Sequence, residues 1–170
     1  NFECDCLGIS GGWTPMVHLF TQSGGKLEFN RIDNMFIPNE NKIPSEQISV
    51  GSCNGDLELD DIIKKTNLKT KEFLDINTSI FDSLKIQSSK EKNKKNIWLL
   101  PSDKPLGKTK PFLDFQNDST AKDVKLALRE GFKSIEHVKR YTTTGMGTDQ
   151  GKLSNMHALG IIADTTGTNM

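Results

Sequence analysis

The residues with the strongest chemical potential lie in one stretch, residues 137–155, HVKRYTTTGMGTDQGKLSN. Gly145, Gly147 and Gly151 fall within seven residues, flanked by the cations Lys139, Arg140 and Lys152. Glycine is used where the backbone must take positive φ or approach another group closely. That group can be a phosphate, a metal cluster, a neighbouring subunit, or only the next turn of chain. A glycine-rich turn leading into a helix N-terminus can hold an anion on its backbone N–H groups. The spacing is neither that of a Walker loop nor that of a GxGxxG fingerprint, and no strand precedes it. A helix-joining turn with solvated cations is therefore the competing reading.

Other chemistries have thinner support. His18, His137 and His157 are isolated along the chain, and no carboxylate pattern resembles HExxH. Cys4 and Cys6 sit on one face of a presumed strand and Cys53 stands alone, which is no ligand set for zinc or an iron–sulfur cluster. Lys plus Arg and Asp plus Glu are both 22, so the chain lacks the basic excess of a nucleic-acid binder. No apolar run reaches the roughly 18–20 residues that span a bilayer. Three cysteines with no evident pairing suit a reduced, cytoplasmic setting. The start lacks a Met and a signal-peptide pattern, so the chain reads as a piece of a longer protein.

The elements that must position the loop follow from pattern. "ECDCLGIS", residues 3–10, reads as a buried parallel-type strand entering a tight Gly11-Gly12 loop. Met16, Leu19 and Phe20 suit one face of a short helix. Residues 26–37 alternate loosely, as hairpin strands do. Residues 48–52 read as a second apolar strand, Asn54-Gly55 as a turn, and "LELDDIIKK" as the start of a helix. Residues 65–110 are rich in Lys, Asn and Ser and read as an irregular, partly disordered linker, "SSKEKNKK" above all. Within it "IWLL", residues 97–100, suits a short strand, and Pro101, Pro105 and Pro111 a rigid connection.

Residues 111–170 are the most organised. Thr120 with Asp123 makes a capping box for a helix bearing Val124, Ala127 and Leu128, which Gly131 ends. Ser134 can cap a second helix with Ile135 and Val138 inward. A third, from about Lys152, carries Leu153, Met156, Ala158, Leu159 and Ile162. The fold class expected is α+β: the end of a nucleotide-binding domain (1–64), the linker (65–110), then a small helical domain (111–170).

The run from Asp114-Phe115-Gln116 through NDSTAKDVKLALREG to the Gly-Met-Gly loop resembles the small iron–sulfur domain of bacterioferritin-associated ferredoxins. Their four cysteine positions fall here on Asp114, Gln116, Asp149 and Ser154. The resemblance thus implies a ferredoxin-like frame whose cluster is lost, since soft thiolates are what hold iron–sulfur clusters. Residues 114–155, together with ECDCLGISGGWTPMVHLFTQSGGKLEF and VGSCNGDLELDDII, more closely resemble the α subunit of heterotetrameric sarcosine oxidase. That resemblance implies a complex with β, γ and δ subunits. It uses FAD, FMN, NAD and tetrahydrofolate to demethylate sarcosine to glycine, forming hydrogen peroxide and methylene-tetrahydrofolate. Carried onto this chain, it puts Ser52, Leu57 and Leu59 near NAD. It also puts Lys139, Arg140, Thr143, Thr144, Gly145, Gln150 and Lys152 near FMN at a subunit interface. Lys139 and Arg140 facing only solvent or the β subunit is the alternative there. A cofactor-free subunit-docking module of another amine-oxidising flavoprotein complex is the second functional reading.

Overall fold

The computed structural model describes residues 3–6, 8, 13–43, 47–75 and 97–170. They fall into two compact units, Asn1–Lys94 and Lys95–Met170. Both mix short helices with two-stranded antiparallel sheets, which is the expected α+β class.

In the first unit, helix α1 (His18–Gln22) leads into a hairpin of β1 (Leu27–Asn30) and β2 (Met35–Pro38). Opposed residues Phe29 and Phe36 meet edge to face, with ring centroids 5.1 Å apart, an arrangement that stabilises a pair beyond its buried area. Asn30 Oδ1 organises the turn by accepting the Ile32 N–H at 2.9 Å. Phe20, Met35, Pro15 and Pro38 are buried apolar side chains of this unit. Helix α2 (Leu59–Leu74) follows a single 3-10 turn, Gly51–Asn54. Asp60 and Asp61 sit in its first turn, where carboxylates complement the helix dipole.

Several expectations fail here, each for a physical reason. Residues 3–6 and 8 are exposed coil; a strand must hand its N–H and C=O groups to a neighbour, and no described strand pairs with them. Residues 48–52 also form no strand: positive φ at Gly51 and Gly55 curls the chain into the 3-10 turn. Of the three residues expected on one helical face, Met16 precedes α1 and is exposed, and within α1 Phe20 turns inward while Leu19 stays exposed, because five residues supply barely more than one helical turn. Helix α2 runs ten residues into the stretch expected to be irregular, since Lys, Thr and Glu between Leu68 and Phe73 are compatible with a solvated helix. "SSKEKNKK" lies outside the described residues.

In the second unit, β3 (Phe112–Asp114) pairs with β4 (Ser119–Thr120), and β4 runs directly into α3 (Ala121–Arg129). The capping box forms as expected: Asp123 Oδ2 accepts the Thr120 N–H at 2.8 Å, and Thr120 Oγ1 accepts the Asp123 N–H at 3.4 Å. Gly131, at φ 97°, then reverses the chain, and Phe132 N–H closes on the Ala127 carbonyl. Helices α4 (Ile135–Thr142) and α5 (Asn155–Thr166) pack on α3. Leu113, Ala121, Val124, Ala127, Val138, Ala158, Ile161 and Ile162 form one apolar cluster.

Trp98, Leu99 and Leu106 cover part of that cluster. Residues 97–100 are bent, not a strand: Trp98 and Leu99 pack on the helical cluster while Ile97 and Leu100 stay exposed. A Cβ at Gly160 would fall within the Trp98 indole, 2.6 Å from Cγ, so only glycine lets α5 approach that ring. Ser134 holds the N-cap position of α4 without a side-chain capping bond, and Ile135 is exposed. Leu153 is exposed as well, since α5 begins two residues after it.

Candidate functional site: the glycine-threonine loop

The loop between α4 and α5 is built around polar side chains arriving from the β3–β4 turn. Helix α4 ends where Thr143 enters the left-handed region at φ 57°. Thr142 Oγ1 donates to the Val138 carbonyl at 2.8 Å, and the buried Ser119 hydroxyl donates to the Thr142 carbonyl. These bonds fix the start of the loop. Gly145 and Gly151 then take φ of 72° and 76°. A Cβ on Gly145 would stand 3.2 Å from Gly151 Cα, so the two glycines allow the loop to close on itself.

Asp114 is the central acceptor. It is buried, and its Oδ2 takes the Gly145 N–H at 2.7 Å. Its Oδ1 takes the N–H groups of Gln116 at 2.9 Å and Asn117 at 3.2 Å. Burial works to raise the Asp114 pKa, but the N–H donors of Gly145, Asn117 and Gln116, with the Asn117 amide, outweigh it. The carboxyl therefore sits below its ordinary value. Gln116 Oε1 accepts from the N–H and hydroxyl of Thr148 at 2.6 and 2.8 Å. A Cβ on Gly147 would collide with this side chain.

Asp149 binds inside the loop. Its two oxygens accept the N–H groups of Gly151 at 3.2 Å and Leu153 at 3.4 Å. Ser154 is buried at the N-cap of α5, and its Oγ has no hydrogen-bond partner among the described residues. Asp114 and Gln116 thus reach across to the loop that contains Asp149 and Ser154. A cluster of iron and sulfide requires thiolates. These positions offer two carboxylates, an amide and a hydroxyl, and three of the four are already accepting loop N–H groups. The residues do not fit a cluster.

The residues assigned toward FMN divide by burial. Thr144 and Gly145 are buried; Arg140, Thr143, Gln150 and Lys152 are exposed, and Lys139 is half-buried. Two of the three loop glycines are not free to donate to an anion: the Gly145 N–H goes to Asp114 and the Gly151 N–H to Asp149. The cations remain available, for Lys139, Arg140 and Lys152 make no ion pair among the described residues.

Ser52, Leu57 and Leu59, assigned toward NAD, lie in the other unit and are all exposed, around the turn from the 3-10 segment into α2. Beneath them Asp56 is buried and paired with Lys65. Cys4 and Cys6 are exposed and Cys53 half-buried, all as free thiols. His157 stands edge-on to Trp98, centroids 6.1 Å apart, as a packing residue.

Two residues that matter to the loop escape a reading by motif. Asn117 donates to Asp114 Oδ2 at 3.3 Å and to the Thr143 carbonyl at 3.2 Å. Asn155 lies against both Gly145 and Gly151 and donates to the Gln150 carbonyl at 3.4 Å. The Asp-x-x-Asn spacing at 114–117 is the available signal, since Asx side chains bond backbone two or three residues on.

The hairpin, three helices and self-closed loop are the segment that a known family describes: residues 108–170 match the model for the sarcosine oxidase A3 domain. Nearly the whole chain is similar to curated α subunits of that enzyme. Identity is 31% over 175 residues with the Rhizobium meliloti (strain 1021) sarcosine oxidase subunit alpha, covering 97% of this chain and 16% of the relative. It is 30% with the subunit from Corynebacterium sp. (strain P-1), covering 98% and 18%. The chain is thus similar, over nearly its whole length, to a segment of the sarcosine oxidase α subunit, and its residues 108–170 match that enzyme's A3 domain. It spans less than a fifth of the length of these relatives. Among the described residues no helix is long and apolar enough to cross a membrane.

Proposed function

We propose that this chain is the central segment of the α subunit of a sarcosine oxidase complex, and that its role there is positional. The complete enzyme, a cytoplasmic assembly with β, γ and δ subunits, would demethylate sarcosine oxidatively to glycine, with hydrogen peroxide and methylene-tetrahydrofolate as further products. The chain's first unit would be the closing part of a dinucleotide-binding domain, with Ser52, Leu57 and Leu59 toward NAD. Its second would be a ferredoxin-like frame without a cluster, set against the subunit interface where FMN resides. FAD and tetrahydrofolate would bind elsewhere in the complex.

The observation that carries this reading is a rigid loop flanked by uncommitted cations. Asp114, Gln116 and Asn117 hold the loop from outside, while Lys139, Arg140 and Lys152 stay without ion-pair partners among the described residues. FMN bears a phosphate, and ammonium and guanidinium groups neutralise phosphates through charge-assisted hydrogen bonds. Side chains, not glycine N–H groups, would supply that contact.

The spent N–H groups also favour a second reading: a docking module that touches a flavoprotein partner and no flavin. Lys152→Ala in the assembled complex separates the two, read by FMN content per α subunit and by subunit retention on gel filtration. The first reading expects reduced FMN occupancy in an intact complex. Full occupancy with weakened subunit association favours docking, and no change in either refutes a role for Lys152.

A further inference from the structure

Away from the loop, the segment leading into β3 folds over α3 to leave an open hollow of about 460 Å³. Its floor is apolar, with Leu99, Pro101 and Leu106 among the contributors, and three lysines stand round it: Lys104, Lys110 and Lys125. A second hollow of about 540 Å³ overlaps it, sharing Pro101, Ser102, Lys104 and Thr109, so the two make one open groove. None of the three lysines makes an ion pair among the described residues. Asp103 is the carboxylate lining the groove. Pro101 fixes φ, and with Pro105 and Pro111 close by in the chain the rim is stiff before anything binds.

We infer that this groove receives an extended acidic peptide segment of a partner polypeptide, with apolar side chains on the leucine floor and carboxylates toward Lys104, Lys110 and Lys125. Charge complementarity selects the sign of the partner: three ammonium groups around apolar surface disfavour a basic or neutral segment. Shape selects an extended chain. A compact anion would meet the lysines and leave the apolar floor wet, whereas alternate side chains of an extended peptide point to the same face, so that one set can lie on the floor while carboxylates reach the rim. The lysine stems add apolar surface to the walls while their heads stay in water. The site is separate from the glycine-threonine loop, so the inference stands whether or not that loop approaches a flavin.

The test uses the full chain and a fluorescein-labelled peptide of alternating glutamate and leucine, followed by fluorescence anisotropy. Binding is expected to weaken as salt is raised. The triple variant K104E/K110E/K125E should lower the affinity by about tenfold or more, since each rim pair contributes modestly. Circular dichroism of the variant checks that it is folded, and K122E, a charge reversal of the exposed Lys122 on the same helix as Lys125, should leave affinity unchanged. Equal affinity in the triple variant would overturn the inference. So would equal binding of a lysine-leucine peptide, an equal loss in K122E, or competition by octanoate at concentrations that match the peptide.

Discussion

Asp114→Ala is the most searching perturbation of the loop. In the structure one buried carboxylate serves three backbone donors and the Asn117 amide. On truncation, the N–H groups of Gln116 and Asn117 can turn to water because those residues are exposed. Gly145 is buried, so its N–H is stranded, and an unsatisfied buried donor costs about 1–3 kcal/mol. Adding the smaller losses at the other donors, about 3 kcal/mol is expected. Asp114→Asn retains one oxygen for Gly145 and loses the charge, for about 1–2 kcal/mol.

The assay is urea denaturation of the full chain carrying Trp13→Phe, so that Trp98, packed on the second unit's core, reports alone. pH supplies an independent check. The folded-state pKa of Asp114 lies below its ordinary 3.8. Its charged form is therefore favoured by folding, and that stabilisation is complete above about pH 4 and is lost as pH falls through the lower folded value. The gap between wild type and Asp114→Asn should hold constant from pH 5 to 8 and narrow below about pH 4. An Asp114→Ala variant within about 0.5 kcal/mol of wild type at neutral pH would refute the assignment of Asp114 as the loop's anchor.

Ser154→Ala should be neutral or stabilising by up to about 1 kcal/mol in the same assay, because it removes a buried hydroxyl that has no partner among the described residues. A loss above that size would mean the hydroxyl is satisfied. Gly160→Ala gains about 1 kcal/mol of helix propensity, yet its methyl group must displace the Trp98 indole. A net loss of about 1 kcal/mol is expected from overpacking. A red-shifted Trp98 emission should accompany it, and an unshifted spectrum with raised stability would contradict the contact.

Local signals carried their weight where short-range physics decides the outcome. The Thr120–Asp123 box, the Gly131 stop, the 26–37 hairpin and the Asn54-Gly55 turn are each settled by residues within a few positions of one another, and each is legible in the chain. That Asp114, Gln116, Asp149 and Ser154 can supply no thiolate was legible too. What tertiary structure alone decided is how those positions are used. Asp114 and Gln116 are separated from Gly145 and Thr148 by more than thirty residues, and no local pattern states that a carboxylate will take up a glycine N–H over such a distance. The same holds for the strands expected at 48–52 and 97–100, which do not form. Short apolar runs announce that a side chain will be buried, but whether a sheet neighbour or a helix face receives it depends on what the rest of the chain brings alongside.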